Sequence, residues 1–212
     1  MPPISVCVVT TFYQIFQICS TFLLRFTPTF IIQPLKEELF NLAKDVGFWE
    51  AGFLNMEQLR YYPEVRSICE QNTCRNYGKT WACPPAVGTL HDCQCRIEQY
   101  NTMLLFSGKY DLEDSFDFEG MTEGLHGFKK TVDVFAEKID ERLTDYLLLS
   151  NEGCGRCETC TYPSFPCRYP SRLYHSIEGY GFVVSELAKH AGIRYINGAD
   201  TVTYFGALLF RQ

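Results

Sequence analysis

The chain has 212 residues, 46% hydrophobic, 21% charged and 15% aromatic, which is enough for one substantial core and excludes both disorder and a need for disulfide staples. A net charge of -6 with no lysine or arginine run offers a phosphate backbone nothing to bind and excludes a nucleic-acid partner. Eleven cysteines, odd in number and unevenly spread, exclude the even, dense framework of a small secreted protein and point to metal ligation.

Residues 1–34 carry Arg25 as their only charge among many Thr, Phe and Ile, with Cys7 and Cys19 standing alone. The stretch has almost the length of a membrane span, yet Gln14, Gln17 and Ser20 interrupt it and no basic residue precedes it. It reads as an N-terminal extension or mis-start, as a membrane or interface anchor, or as a buried strand-rich segment. Residues 35–212 read as one domain.

That domain opens on "PLKEELFNLAKDVGF", with proline near the first turn and Leu35, Leu39, Leu42 and Val46 on one face, an amphipathic helix closing at Gly47. "WEAGFLN" is a short strand, and "MEQLRYYPEVRSI" a helix broken at Pro63. A first cysteine loop runs to Gly88. "TLHDCQCRIEQY" places Leu90, Cys93, Ile97 and Tyr100 at helical spacing and feeds the apolar strand "TMLLFS". "EGLHGFKKTVDVFAEKIDERLTDYLLL" is a long helix striped by Leu125, Phe128, Val132, Phe135, Ile139 and Leu143. A second cysteine loop spans Gly153–Pro170, "SIEGYGFVVSELAKHAG" is a helix ending at Gly192, and "IRYING" and "VTYFGALLF" are two closing strands. The expected fold is α+β: a single domain with a small mixed sheet, flanking helices and two cysteine-rich metal-binding loops.

The second loop, "CGRCETCTYPSFPCR", is the more specific signal. Cys154, Cys157 and Cys160 have two residues between each pair, so their sulfurs converge from a tight turn, and Cys167 follows seven positions on. Three close thiolates and a remote fourth are how [4Fe-4S] ligand runs are built, although here proline precedes the last cysteine instead of following it. A four-cysteine zinc site, usually two separated pairs, is the alternative. The first loop, "CEQNTCRNYGKTWACPP", spaces Cys69, Cys74 and Cys83 more widely. Pro84 and Pro85 stiffen its exit, and Tyr77 and Trp81 either shield a cofactor from solvent or are core aromatics. Arg168 offsets an anionic cluster, binds an anionic substrate, or pairs with an acid such as Glu178.

These two loops, the "LLF" strand between them and the following "SIEGYG" resemble a prokaryotic family of small, cysteine-rich predicted metal-binding proteins, over about residues 35–212. The resemblance implies metal or iron-sulfur binding through Cys69, Cys74, Cys83, Cys154, Cys157, Cys160 and Cys167, and it matches Ser176 and Glu178 to the family's serine and glutamate. Ser176 reads as a helix cap and Glu178 as a first-turn acid favoured by the helix dipole. Cys93 lies on an apolar stripe and reads as a buried free thiol, Cys95 as a surface thiol, and His91 as a solvated group or a fourth ligand to the first three cysteines.

The expected function is a metal-binding protein with one or two [4Fe-4S] clusters, acting in electron transfer or as a redox accessory with a partner protein. Two alternatives stand beside it. One is an iron-sulfur enzyme or sulfur-handling protein whose three-cysteine centre leaves iron open to a small-molecule substrate; the other is a zinc-bound structural or interaction module. Reduced thiols imply a cytoplasmic protein, with membrane attachment only if residues 1–34 are an anchor.

Overall fold

The computed structural model describes residues 29–212, with side chains from residue 35 onward. Most of the apolar N-terminal segment, and the three readings of it, lie outside the described residues. Helix α1 (Thr29–Asp45) begins before Pro34 instead of at it, and it buries Leu39 and Leu42 of the predicted stripe together with Ala43, while Leu35 and Val46 are half-buried. Strand β1 (Glu50–Leu54) follows. The next segment departs from expectation: Met56–Gln58 is a short 3-10 turn capped by Asn55, and α2 (Pro63–Glu70) starts at the proline expected to break it. Proline at the first helical position loses only an N–H that would be unpaired anyway.

Helix α3 (Leu90–Ile97) opens on a capping box between Thr89 and Asp92 and leads into β2 (Thr102–Asp111). Helix α4 (Phe118–Asp140) is capped by Asp117 and stops short of the expected tail, because "YLLLS" leaves the helix to form β3 (Tyr146–Ser150). Only the second half of "SIEGYGFVVSELAKHAG" is α-helical. The two-residue strand β4 (His175–Ser176) ends on that segment's first residue, a 3-10 turn follows at Glu178–Tyr180, and α5 (Val184–Ala191) ends at Gly192 with φ 68°. The expected strand "IRYING" is irregular, since side chains satisfy its polar groups: Glu50 accepts from Arg194, and Asn197 accepts from Trp49 and donates to Thr203. Strand β5 (Thr201–Phe210) closes the chain.

The five strands form one mixed sheet in the order β1-β2-β5-β3-β4, antiparallel throughout except for β3 beside β4. Alternate residues of the central strands feed two cores. Met103, Leu105, Phe205, Ala207 and Leu209 pack with α3, α5 and the Glu178–Tyr180 turn, while Leu104, Phe106, Tyr204, Leu208 and Phe210 pack with α1 and α4. Phe48, Phe106 and Phe135 form an aromatic trio with centroids 4.2–5.3 Å apart, each pair stabilising by about 1 kcal/mol beyond its burial. The architecture is thus the expected α+β single domain. Among the described residues, no helix is long and apolar enough to cross a membrane.

Edge strand β4 assembles the loops. Its Ser176 N–H donates to Ala82 O in the first loop (2.8 Å), and the next residue, Ile177, donates to Ser150 O at the end of β3 (3.2 Å), where the second loop begins. One short strand therefore brings both cysteine loops and the Glu178 turn to the same end of the sheet.

Candidate metal centres

The first loop leaves α2 at Cys69 and is tied by its own backbone. Asn72 Oδ1 accepts from Tyr77 N–H at 3.0 Å, and Gly78 N–H donates to Pro84 O at 2.9 Å. Asn72 and Arg75 take left-handed conformations with φ of 57° and 62°, so the chain turns sharply enough for Cys69, Cys74 and Cys83 to line one cavity of about 550 Å³. Tyr77 lines the same cavity. Cys83 is buried, Cys69 half-buried and Cys74 exposed.

The second loop is anchored at its base by a reciprocal pair. Asn151 N–H donates to Phe205 O (2.9 Å), and Phe205 N–H donates to Asn151 Oδ1 (3.0 Å). Lys129 reaches from α4 to the carbonyls of Asn151 and Gly153. Arg156, between the first two cysteines of the run, grips Asp133 of α4 through two bonds of 2.9 and 2.6 Å. Farther on, Arg168 donates to Thr159 O (2.8 Å) and Tyr169 N–H to Cys167 Sγ (3.4 Å). Cys154, Cys157, Cys160 and Cys167, all half-buried, then line a second cavity of about 510 Å³.

Seven cysteines therefore divide four and three between two cavities. Asn76 lines both, and the amide of its side chain packs on Gly153, where a Cβ would lie 2.6 Å from Oδ1. Trp81 is placed apart from the cysteines of its own loop: it lines the four-cysteine cavity, donates from Nε1 to Phe165 O (3.1 Å) and sits edge-on to Tyr162. Arg168 also lines that cavity, while Glu178 lines the other, so the two are brought to different sites.

The electrostatic lining differs sharply. Around the four cysteines stand Arg75, Lys79, Arg156 and Arg168 against one acid, Glu158. Arg156 Nε is buried there without a hydrogen-bond partner. An unpaired buried N–H is costly, and an anionic group with acceptor atoms would satisfy it. Around the three cysteines the only formally charged side chains are Glu152 and Glu178. Burial, with Glu178 and the neighbouring thiols, pushes Cys69 up to about 11, and burial pushes Cys83 up too. Glu178 itself is raised to about 7, mainly by burial and further by Glu152, with Lys129 opposing. A metal bound there would displace the thiol protons to solvent and hold the thiolate form. Among the described residues, no three His, Cys, Asp or Glu side chains converge on one point that would hold a single ion.

The remaining candidates lie elsewhere. Cys93 is fully buried in the core, its Sγ 3.6 Å from Val87 O and 3.8 Å from Arg96 Nη1. His91 and Cys95 face each other at 3.7 Å on the exposed side of α3, and neither lines a cysteine cavity. Ser176 is buried and its Oγ accepts from Gly179 N–H (3.1 Å), so it caps the Glu178–Tyr180 turn instead of a longer helix. Glu178 does begin that turn, but its place in the cavity was not legible from spacing. Lys129 and the Arg156–Asp133 pair gave no sequence signal either, being one of several charges on α4 and a pair 23 residues apart.

A family model described as "Predicted metal-binding protein (DUF2284)" matches residues 52–210. No curated protein matches the chain. Among solved structures it is similar to epoxyqueuosine reductase from Bacillus subtilis, at 10% identity and a TM-score of 0.43, over 84% of this chain and 45% of that one. It is also similar to epoxyqueuosine reductase from Streptococcus thermophilus, at 12% identity and a TM-score of 0.42, over 82% and 45%. A third similar structure is an epoxyqueuosine reductase with a modified tRNA stem loop, at 11% identity and a TM-score of 0.43, over 84% and 46%. The chain spans less than half the length of these structures.

Proposed function

The chain belongs to the predicted metal-binding family, and from that premise we propose that it is a two-centre iron-sulfur redox protein. In this reading Cys154, Cys157, Cys160 and Cys167 hold a coordinatively closed centre, and Cys69, Cys74 and Cys83 hold one with an open position. The observation that carries it is the four-and-three division of the thiols between two adjoining cavities with opposite charged linings. The bound groups would be [4Fe-4S] clusters, supplying one-electron transfer and, where three thiolates leave an iron open, Lewis acidity.

The chain's own residues divide the labour. Arg75, Lys79, Arg156 and Arg168 offset negative charge at the four-cysteine centre, and the Tyr169 N–H stabilises the Cys167 thiolate. Trp81 and Tyr162 wall that centre from water, while Lys129, donating to the carbonyls of Asn151 and Gly153, is near enough to Cys154, Cys83 and Glu178 for its charge to act on them. With clusters bound, Cys154, Cys157, Cys160 and Cys167 would hold the centre that exchanges electrons with a partner protein, and Cys69, Cys74 and Cys83 the centre that would meet a small molecule. Such chemistry suits a reducing compartment such as the cytoplasm.

The test is iron, zinc and acid-labile sulfide content, with EPR spectra before and after dithionite, on protein purified without oxygen. Wild type is expected to carry about eight irons with matching sulfide, and Cys167→Ser or Cys74→Ser about four each, with different spectra remaining. Zinc without sulfide overturns the reading.

A further inference from the structure

The three-cysteine cavity has more to it than ligands for a metal. Val65 and Ile68 of α2 and Phe182, Val183 and Val184 at the start of α5 supply apolar wall beside Cys69, Cys74 and Cys83. At about 550 Å³ the space falls in the range of pockets that bury a small organic ligand. Its rim is also apolar: Ile68 is 58% exposed and Tyr195 48%. Exposed aliphatic and aromatic surface bordering a concave site marks a ligand entrance more readily than a structural seam.

The polar groups in that wall are selective. No lysine, arginine or histidine lines it, and its carboxylates are Glu152 and Glu178. Glu178 is held in place through both backbone groups of its neighbour Gly179. Ser176 Oγ caps Gly179, and Arg66 donates to Gly179 O (2.6 Å) and to Gly88 O (2.8 Å). A Cβ at Gly179 would lie 2.6 Å from Ser176 Oγ, so the turn is packed closely where it presents the acid. A fixed carboxylate amid apolar wall, with no cation in the lining and the nearby Lys129 engaged by the carbonyls of Asn151 and Gly153, favours a positive group over a negative one. The four-cysteine cavity, lined by four cations, has the reverse preference.

We propose that the three-cysteine cavity is the binding site for a small organic amine, its ammonium group on Glu178 and its apolar body against Val65, Ile68, Phe182 and Val184. This rests on the two-centre reading for what the amine would meet there, but the recognition depends only on the cavity's own lining. Glu178 is a binding residue in this proposal, and no bond to the ligand is made or broken.

Benzylamine, benzyl alcohol and benzoate, matched in their apolar body, are titrated by calorimetry at pH 8 into anaerobically purified protein whose iron and sulfide contents are measured on the same sample. Benzylamine is expected to bind about tenfold or more tighter than benzyl alcohol, and benzoate not to bind, as one charge-assisted hydrogen bond implies. Glu178→Gln should erase the preference for the amine while leaving the alcohol bound, and Val184→Trp, which fills the cavity, should abolish both. Should Glu178→Gln not fold, the wild-type order of the three probes and its loss in Val184→Trp decide the matter. Benzoate binding as tightly as the amine, or no binding of any probe to protein that holds its iron, overturns the amine site and leaves the two-centre reading standing. Amine binding to protein without iron does the opposite.

Discussion

Asp133→Ala should loosen the four-cysteine loop from the body of the protein. In the wild type, Asp133 accepts two bonds from Arg156, at 2.9 and 2.6 Å, and a third from Tyr174 OH at 3.0 Å. The two ionic side chains are 25% and 27% exposed. Breaking a fully buried pair costs about 3–5 kcal/mol and losing an exposed one about 0.2–1. A pair at a quarter exposure, with an added hydroxyl, should lie between, at about 2 kcal/mol. With a urea m-value of about 2 kcal/mol/M, the midpoint falls by about 1 M. Arg156 also lines the cavity next to Cys154 and Cys157, so iron at that centre should become more accessible to a chelator while the other centre keeps its signal. Urea unfolding followed by circular dichroism, combined with Arg156→Met and the double variant, gives the coupling energy, expected at about 1–2 kcal/mol. A stability unchanged within about 0.5 kcal/mol, with no change in chelator sensitivity, would mean that the pair is an idle surface contact and that the loop is held by other means.

Stability between about pH 4 and 7 should conceal two opposing titrations. His175 is pulled down to about 4 by burial and by Arg96, so the unfolded chain binds the extra proton and stability rises with pH from 4 to 6.5. Glu178 is raised to about 7, so the folded chain binds the extra proton and stability falls from 4.5 to 7; His175→Gln should unmask that fall and Glu178→Gln the rise, by at most about 3 kcal/mol each, in denaturation series across pH. Lys129→Met removes a cation near enough to thiols of both loops for its charge to act on them, so EPR-monitored redox titration should find both potentials lowered, by about 60 mV for each 1.4 kcal/mol lost. A shift at neither centre refutes that action. Gly153→Ala drives a Cβ to within 2.6 Å of Asn76 Oδ1; it should lower the melting temperature by several degrees and disturb both iron signals, whereas Gly155→Ala, which meets nothing within 4 Å, should show only the strain of its φ of 63°.

Local spacing determined a good deal by itself. The Leu39–Leu42 stripe, the long run through Phe128, Val132 and Phe135, and the apolar "TMLLFS" and "VTYFGALLF" appear as buried faces of α1, α4, β2 and β5, because burial periodicity is written residue by residue. So did the close grouping of Cys154, Cys157 and Cys160, which a tight turn alone brings to one cavity. What failed were the boundaries at "DYLLL", "SIEGYG" and "IRYING", where pairing with a distant strand, a left-handed Gly181 and side chains from Glu50 and Trp49 outweighed local preference.

The site was divided by tertiary structure. Nothing in the spacing of Trp81 and Cys83 says that they line different cavities, or that Glu178, 95 residues after Cys83, joins the first loop and not the second. Those placements follow from β4, whose Ser176 pairs with Ala82 while its neighbour Ile177 pairs with Ser150. Long-range hydrogen bonds of this kind depend on which edges of a sheet are free when the chain returns, and no window of sequence contains that information.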